Sequence, residues 1–119
     1  HSNTGYEAKF TLAKLYFEDK NYKTSYELLT DIKDTVNNPE ILNLMAQNFM
    51  KLKDYKTAAG ILSKLKEAYP DNHIVLCDLA KCEIKIGEFN NAKENIKQAL
   101  MRFPGFDYGL KLLKEVEKQ

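Results

Sequence analysis

The chain repeats itself every 34 residues, and no other property of it restricts the fold as strongly. Shifted by 34 positions, Met45-Ala46 returns as Leu79-Ala80, Tyr55 as Phe89, Ala58 as Ala92, and Tyr69-Pro70 as Phe103-Pro104. A shift of 33 recovers an earlier copy, in which Ala13 stands for Ala46, Tyr22 for Tyr55 and Ser25 for Ala58. The missing residue falls in the loop around Thr35 to Asn38. A unit this short cannot bury its own apolar face, so successive units must stack and share a core.

Inside each copy the apolar spacing is helical. Ala58, Ile61, Leu62 and Leu65 form an i, i+3, i+4, i+7 stripe. Lys53-Asp54 and Gly87-Glu88 break one helix from the next, and Pro70 and Pro104 stop the second helix of a copy. Asp54 is a candidate N-cap for a helix from Tyr55, Asn38 with Pro39 one for the second copy, and Asp71 one for the third. The expected helices are Tyr6–Asp19, Tyr22–Lys33, Pro39–Leu52, Tyr55–Ala68, Asn72–Ile86, Phe89–Arg102 and Phe106–Lys118. The fold class is therefore all-α, with about seven helices. In the last helix Leu110, Leu113 and Val116 are expected on the buried face, with Lys111, Lys114, Glu115 and Lys118 outside. Such a helix reads as the solvating cap that ends a repeat array.

These landmarks resemble the tetratricopeptide repeat (TPR). That pattern has a small residue eighth, an aromatic seventeenth, a small residue twentieth and a proline thirty-second. The second copy (residues 39–72) has Ala46, Tyr55, Ala58 and Pro70; the third (73–106) has Ala80, Phe89, Ala92 and Pro104, with a turn glycine, Gly87. The first (6–38) has Ala13, Tyr22 and Ser25 but no closing proline. The resemblance implies an α-solenoid of antiparallel helix hairpins, a TPR superhelix, as one domain over residues 1–119 with a capping helix at 106–118. The chain opens on His1-Ser2, compatible with a tag remnant, and reads as a fragment of a longer protein with room for further repeats before residue 6. Its lysine- and asparagine-rich, arginine-poor composition resembles proteins of AT-rich, often bacterial, genomes.

Composition narrows the partners. Net charge is +1, and Arg102 is the only arginine among the basic residues, so nucleic acid is not expected as a partner. No apolar run approaches the roughly 20 residues that span a bilayer, so direct membrane insertion is not expected either. Cys77 and Cys82, five residues apart on one helix, stand about 8–9 Å apart by helix geometry, beyond the roughly 7 Å that a disulfide bridges. Reduced thiols place the chain in the cytoplasm. No catalytic constellation is legible. His73 opens a helix without partners at ligand spacing, the two cysteines lack metal or redox spacing, and the glycines form no phosphate-cradling loop. Neither enzymatic activity nor a cofactor or metal is expected.

The resemblance also supplies a candidate site. In TPR arrays the first helices of the hairpins line a concave groove through the second, fifth, ninth, twelfth and thirteenth repeat positions. Carried over, the peptide-binding candidates are Phe10, Lys14 and Phe17 in the first repeat, Asn43, Gln47 and Met50 in the second, and Cys77, Lys81, Ile84 and Lys85 in the third. Tyr108 and Lys111 join them from the last helix. Amides that can bond a peptide backbone, lysines and apolar anchors together suit a peptide with apolar and acidic side chains. Phe17, Met50 and Ile84 equally fit packing between hairpins. The chaperone-binding carboxylate clamp of some TPR proteins is not matched: Phe10 and Lys14 replace its lysine and asparagine, Leu44 an asparagine, and Asp78 an arginine. The implied role is a protein–protein interaction scaffold or adaptor. Two others fit the same residues: a self-associating homo-oligomer, pairing through Phe10, Leu12 and Phe17, and a substrate-recruiting module of a larger enzyme.

Overall fold

A computed structural model describes residues 2–33 and 38–119, with side chains at 6–32 and 38–119. The described residues form seven helices and no strand: α1 (Ser2–Glu18), α2 (Tyr22–Lys33), α3 (Pro39–Lys51), α4 (Tyr55–Ala68), α5 (His73–Lys85), α6 (Phe89–Arg102) and α7 (Asp107–Glu117). From α2 onward each end lies within one residue of the sequence expectation, while α1 starts four residues early. The loop at 34–37, where the one-residue shortening was expected, lies outside the described residues. The helices gather into two compact units, residues 1–54 and 55–119.

The A-type helices α1, α3 and α5 end in the same turn. Lys20 (φ 64°), Lys53 (φ 66°) and Gly87 (φ 85°) take the left-handed conformation two residues beyond each helix's last residue. The following amides reach back five residues, Asn21 to Tyr16, Asp54 to Phe49 and Glu88 to Glu83, each at 2.8 Å. This closes the last carbonyls of each helix and reverses the chain toward its neighbour. Only one of the three turns has the glycine that this backbone favours.

The starts are capped differently. Asn38 Oδ1 accepts from the Glu40 amide at 2.7 Å with Pro39 in the first turn, as expected. For α5 the cap is Asn72, not Asp71: Asn72 Oδ1 accepts from the Ile74 and Val75 amides at 3.1 and 3.0 Å. Asp71 stands one residue too early and instead faces Arg102 at 3.5 Å. α4 and α6 end at Ala68 and Arg102, two residues before Pro70 and Pro104, because the residue preceding a proline is pushed out of the helical region.

In the first unit, α2 packs on both α1 and α3. Ala13, Leu29, Ile32, Ile41, Met45 and Ala46 are buried there. Ser25 is buried where α2 crosses α1. Its hydroxyl donates to the Ala13 carbonyl at 2.7 Å and accepts from Asn48 Nδ2 of α3 at 2.9 Å. In the second unit one core joins α5, α6 and α7 through residues including Leu76, Ala80, Ile84, Ala92, Ile96, Ala99, Leu112 and Val116. The buried face of α7 is rotated from the expected one. Gly109, Leu112 and Val116 are buried, Leu113 is half-buried, and Leu110 is exposed. Gly109 lies in the α6–α7 contact: a Cβ there would lie 3.0 Å from Leu100 Cδ2 and 3.5 Å from Cys77 Sγ, so a larger residue would require the Leu100 side chain to give.

Candidate peptide-binding faces

The A-type helices carry the candidate residues in each unit. On α1, Phe10 is half-buried and stacks on Tyr6 with ring centroids 6.4 Å apart, and Lys14 Nζ lies 4.7 Å from the Phe10 ring centre. That ammonium–ring contact turns the exposed lysine and the aromatic into one mixed surface. Tyr6 is itself tied to the cap of α3, since its hydroxyl accepts from Asn38 Nδ2 at 2.6 Å. Phe17 is half-buried and packs edge-on against Tyr22 of its own hairpin at 5.4 Å. On α3, Gln47 Nε2 donates to Asn43 Oδ1 at 3.4 Å, pairing the two amides along the helix. Asn43 is exposed, and Gln47 and Met50 are half-buried.

In the second unit the expected set divides. Lys85 and Lys111 are exposed, Lys81 and Tyr108 are half-buried, and all four retain surface for a ligand. Lys111 pairs with Asp107 at 3.1 Å, with both side chains well exposed. Cys77 and Ile84 do not line a surface; both are buried in the α5–α6–α7 core. The reason is α7, which lies over α5 and covers repeat positions that would be open in a hairpin without a following helix. Burial pushes the Cys77 thiol up to about 11, with the Asp78 charge adding to the effect. Cys82 is pushed up to about 12 by burial first and then by Asp78 and Glu83, with Lys81 opposing. Both cysteines are free thiols.

Asp78 is mostly buried, and the Tyr108 hydroxyl donates to its Oδ1 at 2.7 Å. Burial, followed by the charge and hydrogen bond of Asp78, holds the phenol far above its ordinary range. An acidic group thus occupies the spot where a carboxylate clamp needs a cation. His73 is half-buried, with its ring centroid 4.0 Å from that of Phe103 and 4.6 Å from that of Phe106. Among the described residues no group of three or more His, Cys, Asp or Glu side chains is placed to hold a metal ion. No described helix is long and apolar enough to cross a membrane.

Two buried polar networks escaped the sequence reading. In the second unit Lys66 Nζ donates to Asn95 Oδ1 at 2.7 Å, and Asn95 Nδ2 donates to Glu83 Oε1 at 2.7 Å, linking α4, α6 and α5. In the first unit, Ser25 and Asn48 form the second network. A signal for that one existed: the repeat places alanine at 58 and 92 where Ser25 stands, and Leu15 and Cys82 where Asn48 stands. Two polar exceptions in adjacent copies mark a pair.

Comparison with known proteins places this geometry. The model of the family described as anaphase-promoting complex, cyclosome, subunit 3 matches residues 1–65. No curated protein matches the chain in sequence. The second TPR domain of human RPAP3, solved with the HSP70 peptide SGPTIEEVD, superposes with a TM-score of 0.89 over 100% of both chains, at 15% identity. The first TPR of Spaghetti (RPAP3), bound to the HSP90 peptide SRMEEVD, gives 0.85 over 93% of this chain and 89% of that one, at 14% identity. MamA AMB-1 gives 0.83 at 22% identity over 93% of this chain but 61% of its own length.

Proposed function

Because the chain belongs to the tetratricopeptide-repeat family represented by the subunit 3 model, we propose that it is a protein–protein interaction module. Its A-type helices bind a peptide segment carrying apolar and acidic side chains. The observation that carries the reading is that Lys81 and Lys85 of α5 and Tyr108 and Lys111 of α7, two helices packed on each other, all keep exposed surface. Cations attract carboxylates, and an aromatic side chain offers apolar contact area. On α1 and α3 the Phe10–Lys14 pair and the Asn43–Gln47 amides offer the same mixture.

Asp78 divides this ligand class from that of the chaperone-peptide-bound neighbours. A chain-terminal carboxylate would meet a buried acid already bonded to Tyr108, at a like-charge cost. The acidic groups of the ligand are therefore side chains of an internal segment. The test takes a peptide selected from a displayed library on the immobilised chain and titrates it by calorimetry with a free and an amidated C-terminus. Equal affinity for the two forms is expected, with at least a tenfold loss in the Lys81→Glu/Lys85→Glu variant. Unchanged affinity in that variant would reject these faces as the site.

A further inference from the structure

Asp78, Lys81 and Lys85 follow one another at spacings of three and four residues on α5, so one stripe of the helix carries all three. The stripe emerges from the fold as it runs: Asp78 is mostly buried, Lys81 half-buried and Lys85 exposed. Tyr108 of α7 meets it at the buried end, where its hydroxyl donates to Asp78 Oδ1 at 2.7 Å. That bond occupies the phenol's proton, so what Tyr108 offers a ligand is its apolar ring.

The helix sets the distances along this stripe. Three residues rise about 4.5 Å and four about 6 Å, which puts Lys85 about 10.5 Å beyond Asp78 along the axis. An extended peptide advances about 3.4 Å per residue and turns successive side chains to opposite sides. Two of its residues cover about 6.8 Å, close to the separation of the two lysines, and side chains two apart share one side. The residue just outside such a pair faces the other way. The protein has the matching division, with the lysines on α5 and the aromatic ring on α7.

Resting on the peptide-binding reading above, we infer that Lys81, Lys85 and the Asp78–Tyr108 pair are specificity determinants that read the order of residues in the ligand. The ligand is an extended internal segment with two acidic residues two positions apart. An apolar residue stands next to one of them, outside the pair. The acids face Lys81 and Lys85, and the apolar side chain lies on Tyr108. Asp78 enforces the order in two ways. It holds the Tyr108 hydroxyl, and its carboxylate repels a ligand acid at that level of α5.

The probes are four fluorescein-labelled, amidated octapeptides of equal composition, each with one leucine and two glutamates among serines and glycines. One has the glutamates two apart with the leucine just outside them. The others have the glutamates adjacent, four apart, or two apart with the leucine between them. Anisotropy titration against the full chain is expected to show the first binding at least fivefold tighter than the rest. Changing its glutamate farther from the leucine to lysine should abolish binding to the parent and restore it to Lys85→Glu. Changing the nearer one should do the same for Lys81→Glu, with circular dichroism melts checking that both variants fold. Equal affinity for all four probes, or a charge exchange that restores neither pairing, overturns the inference. The peptide-binding reading survives that result if Lys81→Glu/Lys85→Glu still loses the library-selected peptide. Tightest binding with the glutamates four apart also overturns the inference, since the ligand is then helical. So does an absence of saturable binding by every probe, and the library-selected peptide then decides the broader reading by itself.

Discussion

Ser25 and Asn48 show how much rests on single polar atoms inside a helical repeat. Ser25→Ala removes the donor to the Ala13 carbonyl and the acceptor for Asn48 Nδ2, leaving buried groups unpaired. Asn48 Oδ1 is already buried without a partner among the described residues. A loss of about 1–3 kcal/mol in urea unfolding is expected. Replacing both, as Ser25→Ala/Asn48→Leu, restores the apolar pairing that Leu15 suggests and should recover most of that loss. A double variant worse than the sum of the singles would show that the pair is not what the site needs. Glu83 makes the complementary case. Burial raises its carboxyl pKa above 4.5, against the lowering effects of Asn95 and Lys66 and with a small raising contribution from Glu88. A carboxyl raised on folding contributes stability that is full below its unfolded pKa and is lost as pH rises through the folded value. Glu83→Gln keeps an acceptor for Asn95 and removes that loss. It should leave the melting temperature at pH 7 unchanged or higher, and flatten its fall above pH 4.5. A lower melting temperature at pH 7 would mean that the charge pairing with Lys66 outweighs burial.

The left-handed turn is the device that makes a hairpin out of two helices. Gly87 fits it without strain, whereas Lys20 and Lys53 hold a conformation that costs a non-glycine residue free energy. Lys53→Gly should therefore stabilise the chain by about 0.5–1 kcal/mol, read from the urea midpoint, and Gly87→Ala should destabilise it by about 1 kcal/mol. Equal and small effects would show that the turn is set elsewhere. Element boundaries were legible because breakers, prolines and caps are local. Asn38 with Pro39 announces α3, and the residues before Pro70 and Pro104 leave the helix wherever they sit. What was not legible depends on neighbours. Asp71 and Asn72 are both competent caps, and only the geometry of the preceding turn chooses Asn72. Leu110 looked like a core residue because an isolated helix favours its largest apolar side chains. The buried face instead includes Gly109, whose lack of a side chain leaves room for Leu100 and Cys77.

At the scale of the molecule, the repeat reads out the fold but only part of the site. A template copied from one repeat to the next treats every A-type helix as equally open. The last one is not, because α7 covers Cys77 and Ile84 while leaving Lys81 and Lys85 accessible. The consequence is measurable. Both thiols are buried and raised well above their usual range, so neither should react with an aromatic disulfide reagent at pH 8 until the chain unfolds. Reaction under native conditions would show that α7 leaves the surface of α5. With a net charge of +1 the chain has no overall field to steer a ligand, so recognition depends on where its lysines stand. The most direct test of the peptide-binding account is therefore a backbone amide NMR titration with a library-selected acidic–apolar peptide. The account predicts the largest shifts at Lys81, Lys85, Tyr108 and Lys111. Shifts confined to the loops around Tyr69 and Phe103, or to the outer face of α1, would contradict it.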